Sequence, residues 1–261
     1  MHPMLNIAVR AARRAGDIIS RSMDKLDSLD VITKGPNDFV SSVDEAAEAA
    51  IIDTIKQAYP DHQIMAEESG NQGDNDYLWI IDPLDGTTNF LHGFPQFAVS
   101  IALKHQGKLQ QAVIYDPVSQ ELFTASRGAG AQLNSRRIRV SQRKDLDGSL
   151  IGTGFPFRAD QDLEKYIDTF RAIAPKTAGI RRAGSAALDL AYVAAGRLDG
   201  FWEFGLKPWD IAAGALLIEE AGGLVGDMQG GNSHFESGNL VCGNPKVFKA
   251  LLQTLRPHIK P

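Results

Sequence analysis

The chain has 261 residues, 43% of them hydrophobic, with 27 Lys plus Arg against 32 Asp plus Glu and a formal charge of −5. A chain of this size buries most of its unfolded surface without staples, and its mild acidity argues against broad, non-specific nucleic-acid binding. The lone cysteine, Cys242, cannot close an internal disulfide and reads as a small core residue, and no run approaches the roughly 18 apolar residues of a membrane span.

The N-terminal stretch MHPMLNIAVRAARRAG lacks the long uncharged core of a signal peptide, so a cytoplasmic protein without a membrane anchor is expected. Leu5, Val9, Ala12, Gly16 and Ile19 repeat at helical spacing and predict a helix with one apolar face. KGPNDF (34–39) reads as a loop. A second helix follows in SSVDEAAEAAIIDTIKQAY, where Ser42 and Glu45 have capping-box spacing and Pro60 closes the segment. HQIMAEESG is a short strand ending in Glu67 and Glu68, and GNQGDND (70–76) is a loop.

From Phe97 the period becomes two, and LQQAVIYD and ELFTAS continue it, which predicts an antiparallel meander. The polar stretch 142–148 joins two halves. Beyond it, SLIGTGF, DGFWEF, GLVGD and NLVCG read as strands. SAALDLAYVAAG, PWDIAAGALLIEEAGG and NPKVFKALLQTL read as helices, capped by Ser185 in the first and Asn244 in the last. A layered sandwich is expected: one compact domain over 1–261, with an N-terminal α+β half (1–145) and a C-terminal α/β half (146–261).

IIDPLDGTTNF (80–90) carries the densest chemistry. Trp79, Ile80 and Ile81 predict a buried strand with Asp82 at its C-terminal end. Pro83 cannot donate to a ladder, so regular pairing is expected to stop there and leave the Leu84 carbonyl free. Gly86 allows a close backbone approach, and Thr87 and Thr88 begin a short helix whose first N–H groups point outward as an anion site. Asp-Pro and Asp-Gly are also ordinary turn dipeptides, and a turn explains each residue separately. A hard cation bridging to a phosphate explains their order. Asp210 falls in the first turn of an apolar helix, where the helix dipole alone would favour it. Two carboxylates about 5 Å apart repel by roughly 3 kcal/mol at an effective dielectric near 20. Glu67, Asp82, Asp85 and Asp210 therefore bind metal if they converge, which the sequence alone does not decide. The histidines share no metal-ligand spacing, so zinc is not expected. Trp209 reads as a packing residue.

AEES, DPLDGTTNF and PWDIAAGALLIEEAGG, in that order, resemble the inositol monophosphatase family over essentially the whole chain. The opening helix and RRAGSAALDLAYVAAGRLDGFWE are most similar to a bacterial branch of it. The resemblance implies a five-layer αβαβα sandwich of the inositol monophosphatase/fructose-1,6-bisphosphatase type. It also implies a homodimer and Mg2+-dependent, Li+-sensitive phosphatase activity with two or three ions per site. On that basis Glu67, Asp82, the Leu84 carbonyl, Asp85 and Asp210 match metal ligands, and Gly86 and Thr87 match phosphate-cradling amides. Asp44 matches an acid paired with Thr87 to orient the attacking water. Glu203 matches a contact to inositol hydroxyls, and Gly184, Ser185 and Ala186 match the facing wall. Lys34 matches a basic residue on a loop that closes over the metals, and Glu68 stands beside the ligand Glu67.

Relatives with the same metal motif act on fructose 1,6-bisphosphate or 3′-phosphoadenosine 5′-phosphate, but DPLDGTTNF and FWEFGLKPWD favour inositol phosphates, with myo-inositol 1-phosphate the expected substrate. The Asp82-x-x-Asp85 spacing does not fit an aspartyl-phosphate route. The bacterial branch also includes a protein that joins Nus factors on RNA polymerase during ribosomal RNA antitermination. Arg181 and Arg182 are candidates for such a partner surface or for the dimer interface, against a plain solvated pair. RRIRVSQRK (136–144) reads as a charged, exposed strand edge, with RNA contact as the alternative.

Overall fold

The computed structural model describes residues 2–28, 31–35, 38–156 and 162–259. Helix α1 (Pro3–Ser22) leads into a hairpin of β1 (Val31–Gly35) and β2 (Asp38–Ser41), then helix α2 (Ser42–Ala58). Next come β3 (Gln63–Ala66), β4 (Gly70–Gln72), β5 (Tyr77–Asp85) and the short helix α3 (Thr87–Leu91). The meander is β6 (Ala98–His105), β7 (Lys108–Asp116), β8 (Glu121–Ser126), β9 (Gly130–Leu133) and β10 (Arg136–Arg137). Then follow β11 (Leu150–Thr153), α4 (Leu163–Ile173), β12 (Gly179–Arg181), α5 (Ala186–Ala194) and β13 (Gly200–Glu203). The chain closes with α6 (Pro208–Glu220), β14 (Leu224–Gly226), α7 (His234–Ser237), β15 (Leu240–Gly243) and α8 (Pro245–Leu255).

Among the described residues the larger sheet has eight strands in the order β10-β9-β8-β7-β6-β5-β3-β4, and the smaller has five, β12-β11-β13-β15-β14. Helices α1 and α2 cover one face of the larger sheet, α5 and α6 fill the space between the sheets, and α4 and α8 pack outside the smaller one. The result is the five-layer αβαβα sandwich. Apolar periodicity explains the layering. α1 buries Leu5, Ala8, Ala12, Ala15 and Ile19 on one stripe, whereas α6 buries every residue from Ile211 to Ile218 because both its faces meet a sheet. Each fully buried Leu or Ile contributes about 1.5–3 kcal/mol. Small residues let α1 lie close to the sheet; a Cβ on Gly16 would come within 2.5 Å of the Tyr115 ring. Cys242 is fully buried in the central cluster.

Five details depart from the sequence reading. The capping box at α2 uses Ser41 and Asp44, one residue earlier than the Ser42–Glu45 pair. Both pairs have the right spacing, but β2 delivers the chain in extended conformation at Ser41, which selects that register. Pro83 does not end β5. The ladder to β6 passes from Asp82↔Ser100 to Asp85↔Ala98 through a bulge, which absorbs the residue that cannot donate. Segment 34–39 contributes to a hairpin rather than a loop alone, and Gly70–Gln72 within 70–76 pairs antiparallel with β3. Helix α4 went unread although Tyr166, Thr169 and Ile173 are buried at helical spacing behind an Asp162 cap.

Candidate active site

β3 and β5 run parallel as neighbours, with Ala66 opposite Ile81 as the last pair, so Glu67 and Asp82 follow side by side where that ladder ends. Open sheets assemble sites at such ends. The bulge then turns Leu84 and Asp85 toward the same space. The Leu84 amide donates to Asp82 Oδ1 at 3.0 Å, fixing the turn from within.

Gly86 is the pivot. Its φ of +98° lies in the left-handed region, and an added Cβ would come within 2.8 Å of the Gln96 carbonyl, 3.2 Å of Phe97 Cβ and 3.3 Å of the Gly184 carbonyl. Only glycine brings β5 so close to the loop before α5. Asn89 locks that approach from α3, donating to the Gln96 carbonyl at 2.7 Å and the Ala183 carbonyl at 2.9 Å.

Four helix starts face this region. Thr87 opens α3; its hydroxyl lies 2.9 Å from Asp44 Oδ1 near the start of α2 and 3.1 Å from the Leu84 carbonyl. Ser185 caps α5, and Asp85 Oδ2 accepts from the Ser185 hydroxyl and from the Ala187 amide at 2.7 Å. Asp210 stands in the first turn of α6 and accepts from the Lys207 amide at 2.7 Å. The start of α6 is pinned by Ser100, whose hydroxyl donates to the Trp209 carbonyl at 3.1 Å. Helix N-termini carry partial positive charge, which favours anions where they converge.

One cleft of about 580 Å³ collects Glu67, Asp82, Leu84, Asp85, Gly86, Thr87, Gly184, Ser185, Ala186, Glu203 and Asp210. Asp82, Asp85 and Asp210 each offer a carboxylate oxygen, and these oxygens lie within 4.8 Å of one another. Burial first, then the charges of Glu67, Asp85 and Asp210, push the Asp82 carboxyl well above its usual range. Burial likewise lifts Asp85 to about 6, against the lowering effect of the Ser185 hydroxyl and the α5 amides. Asp44 is raised by burial and held back by its bonds to Ser41 and Thr87. An oxygen-rich cluster that resists ionising together fits a hard divalent cation.

Other named residues lie elsewhere. Asp44 is buried behind Thr87. The backbone amide of Glu68 bonds to Glu48 on α2, away from the cleft lining. The side chain of Lys34 lies outside the described residues. Arg181 and Arg182 are both exposed, Arg181 at the end of the edge strand β12 and Arg182 at the cleft lining with its guanidinium 4.2 Å over the Phe155 ring. Arg182 thus stands beside the site as well as on the surface. Gly154 was also missed. A Cβ there would come within about 2.0 Å of the Glu203 carboxylate, so the missing side chain makes room for Glu203. The GTGF run (152–155) at the end of β11 carried that signal. Arg136 and Arg137 form the outer edge of the larger sheet, where charge protects an unpaired strand.

Fold and cleft together define a five-layer sandwich with a carboxylate centre at the strand ends, the architecture of a metal-assisted phosphatase family. The chain belongs to the inositol monophosphatase family, whose model matches residues 1–260. It is 60% identical to Nus factor SuhB of Pseudomonas aeruginosa, over 100% of this chain and 98% of that protein. The crystal structure of the extragenic suppressor protein suhB from Bartonella henselae superposes with a TM-score of 0.96 at 47% identity, covering 99% of this chain and 100% of that one. The inositol monophosphatase of Anabaena gives 0.85 at 39% identity, over 97% and 95%. No helix among the described residues is long and apolar enough to cross a membrane.

Proposed function

We propose that the protein is a Mg2+-dependent, Li+-sensitive phosphatase that hydrolyses myo-inositol 1-phosphate to myo-inositol and phosphate. The observation that carries this reading is the approach of Asp82, Asp85 and Asp210 to within 4.8 Å in a cleft that also holds Glu67 and the Leu84 carbonyl. Those five would hold the ions. When bound, Mg2+ supplies a water activated for attack and offsets the charge of the leaving oxygen.

The chain's own residues supply the rest. The Gly86 and Thr87 amides receive phosphate oxygens at the start of α3. Thr87 Oγ1, bonded to Asp44, orients the attacking water, and Glu67, just past the end of β3, assists it from the other arm of the cleft. Glu203, from the end of β13, accepts from the inositol hydroxyls, while Gly184, Ser185 and Ala186 form the opposite wall. Phosphoryl transfer asks mainly for positioning and charge neutralisation, which this arrangement offers without a covalent intermediate.

A second role is favoured by the relatives: the P. aeruginosa protein is named a Nus factor. The protein would act as a homodimer and join an RNA polymerase/Nus complex through its surface rather than its carboxylates, with the exposed Arg181 as a contact. The test is phosphate release from myo-inositol 1-phosphate with and without Mg2+, with Asp82→Asn alongside. Mg2+-dependent turnover that the variant lacks supports the assignment. Folded, Mg2+-loaded wild-type protein without turnover overturns it.

A further inference from the structure

Glu48 lies one helical turn beyond Asp44 on α2 and is 3% exposed. It does not line the cleft, yet its carboxylate spans the turn that follows β3. Oε2 accepts from the Glu68 amide at 2.8 Å and Oε1 from the Ser69 amide at 2.8 Å. The Glu67 amide is held from the other side, donating to the Ile81 carbonyl at 3.2 Å. The backbone around Glu67 is thereby clamped at three successive amides, two of them by a single buried carboxylate.

The clamp has a geometric consequence. Residues four apart on a helix share a face, so Asp44 and Glu48 reach out from one side of α2. Asp44 holds Thr87, on the α3 side of the cleft, and Glu48 holds the turn carrying Glu67, on the β3 side. α2 itself is fixed to the sheet by Val43, Ala47, Ile51 and Ile55, all buried. A single rigid helix therefore braces from behind two arms that β5 joins at the front, through its ladder to β3 and its run into α3.

We propose that Glu48 is a positioning residue for the divalent-metal site, fixing the Glu67 backbone so that its side chain is presented to Asp82 in a ligating geometry. The inference rests on the reading of the cleft as a metal centre. Removing a group that orients a ligand weakens metal affinity, typically ten- to a hundredfold. Glu48→Gln keeps the length but places an NH2 against one of the two amides, so one bond becomes a donor–donor contact. Ile51→Val, at a fully buried position on the same helix, loosens α2 packing while leaving the Glu48 carboxylate in place.

The experiment is Mg2+ titration calorimetry on the full-length wild-type protein, Glu48→Gln, Ile51→Val and Glu67→Gln. Circular dichroism checks folding, and hydrogen exchange follows the Glu68 and Ser69 amides. The expected result is faster exchange at those amides in Glu48→Gln with Mg2+ affinity about ten- to a hundredfold weaker, and affinity within twofold of wild type in Ile51→Val. Wild-type affinity in folded Glu48→Gln, with binding still weakened in Glu67→Gln, overturns the positioning role alone. Equal weakening in Ile51→Val and Glu48→Gln also overturns it, because general loosening of α2 then suffices. Wild-type protein that binds no Mg2+, or binds it unchanged in Glu67→Gln, overturns the metal reading and the inference together.

Discussion

Gly86→Ala tests whether the turn after β5 is as tight as its geometry states. Two costs follow from the structure. A left-handed φ of +98° disfavours any residue with a Cβ by about 1–2 kcal/mol. The new methyl would also sit 2.8 Å from the Gln96 carbonyl and 3.3 Å from that of Gly184, which are backbone atoms with little room to yield. Overpacking of this kind adds about 1–3 kcal/mol. Together they predict a loss of about 2–5 kcal/mol, or a fall in Tm of roughly 5–15 °C for a chain of this size. Gly107, in the β6–β7 turn, is the natural control: its φ is +76°, but an added Cβ meets nothing within 4 Å. Gly107→Ala should therefore cost only the backbone part, about 1–2 kcal/mol. Thermal and urea unfolding followed by circular dichroism measure both. Equal losses in the two variants would refute the close approach.

Other predictions concern charge and the site hydroxyl. Asp82 has a folded pKa raised by burial and its acidic neighbours, so the stability linked to it is complete below the unfolded value of 3.8 and lost as pH rises through the folded one. In EDTA, Asp82→Asn should raise Tm at pH 7.5, with the gain shrinking toward pH 4; a lower Tm at pH 7.5 would contradict this. His62 shows the opposite sign. Burial and then Lys56 lower its pKa, against Asp61, while His105 lowers it further; its Nδ1 also accepts from Trp79 Nε1 at 3.1 Å. The linked stability is present above the unfolded value of 6.5 and is lost as pH falls through the lower folded value. His62→Phe, which keeps the stack against Tyr59 and Tyr77, should lose less Tm between pH 7.5 and 5.0 than wild type does. Thr87→Val removes the hydroxyl bonded to Asp44; steady-state assays should show kcat down about a hundredfold or more with KM little changed.

Periodicity and turn chemistry made much of this fold legible. The alternation from Phe97 located the meander, Ser185 and Asn244 marked helix starts, and the apolar run of α6 marked a helix, though not the two layers that bury it. Register was harder to read. Ser41 and Ser42 offer equivalent caps, and only the exit direction of β2 decides between them. A bulge at Pro83 could not be separated from a strand end, because both answer the missing donor. At the site, the residue types within 80–90 were readable together, since their order carries the chemistry. Contacts across the chain were not. Glu48 reads as one more acid on an exposed-looking helix until the fold brings Glu68 and Ser69 to it. Gly154 likewise has meaning only beside Glu203, 49 positions away in sequence.

The most direct measurement is an anomalous-scattering map from crystals of the protein soaked in Mn2+ as a stand-in for Mg2+. The account predicts strong peaks among the carboxylates of Asp82, Asp85 and Asp210, with Glu67 and the Leu84 carbonyl as further ligands, and loss of at least one peak in Asp82→Asn. A cleft without peaks at saturating Mn2+, or peaks unchanged by the substitution, would contradict the assignment of these acids as a metal centre.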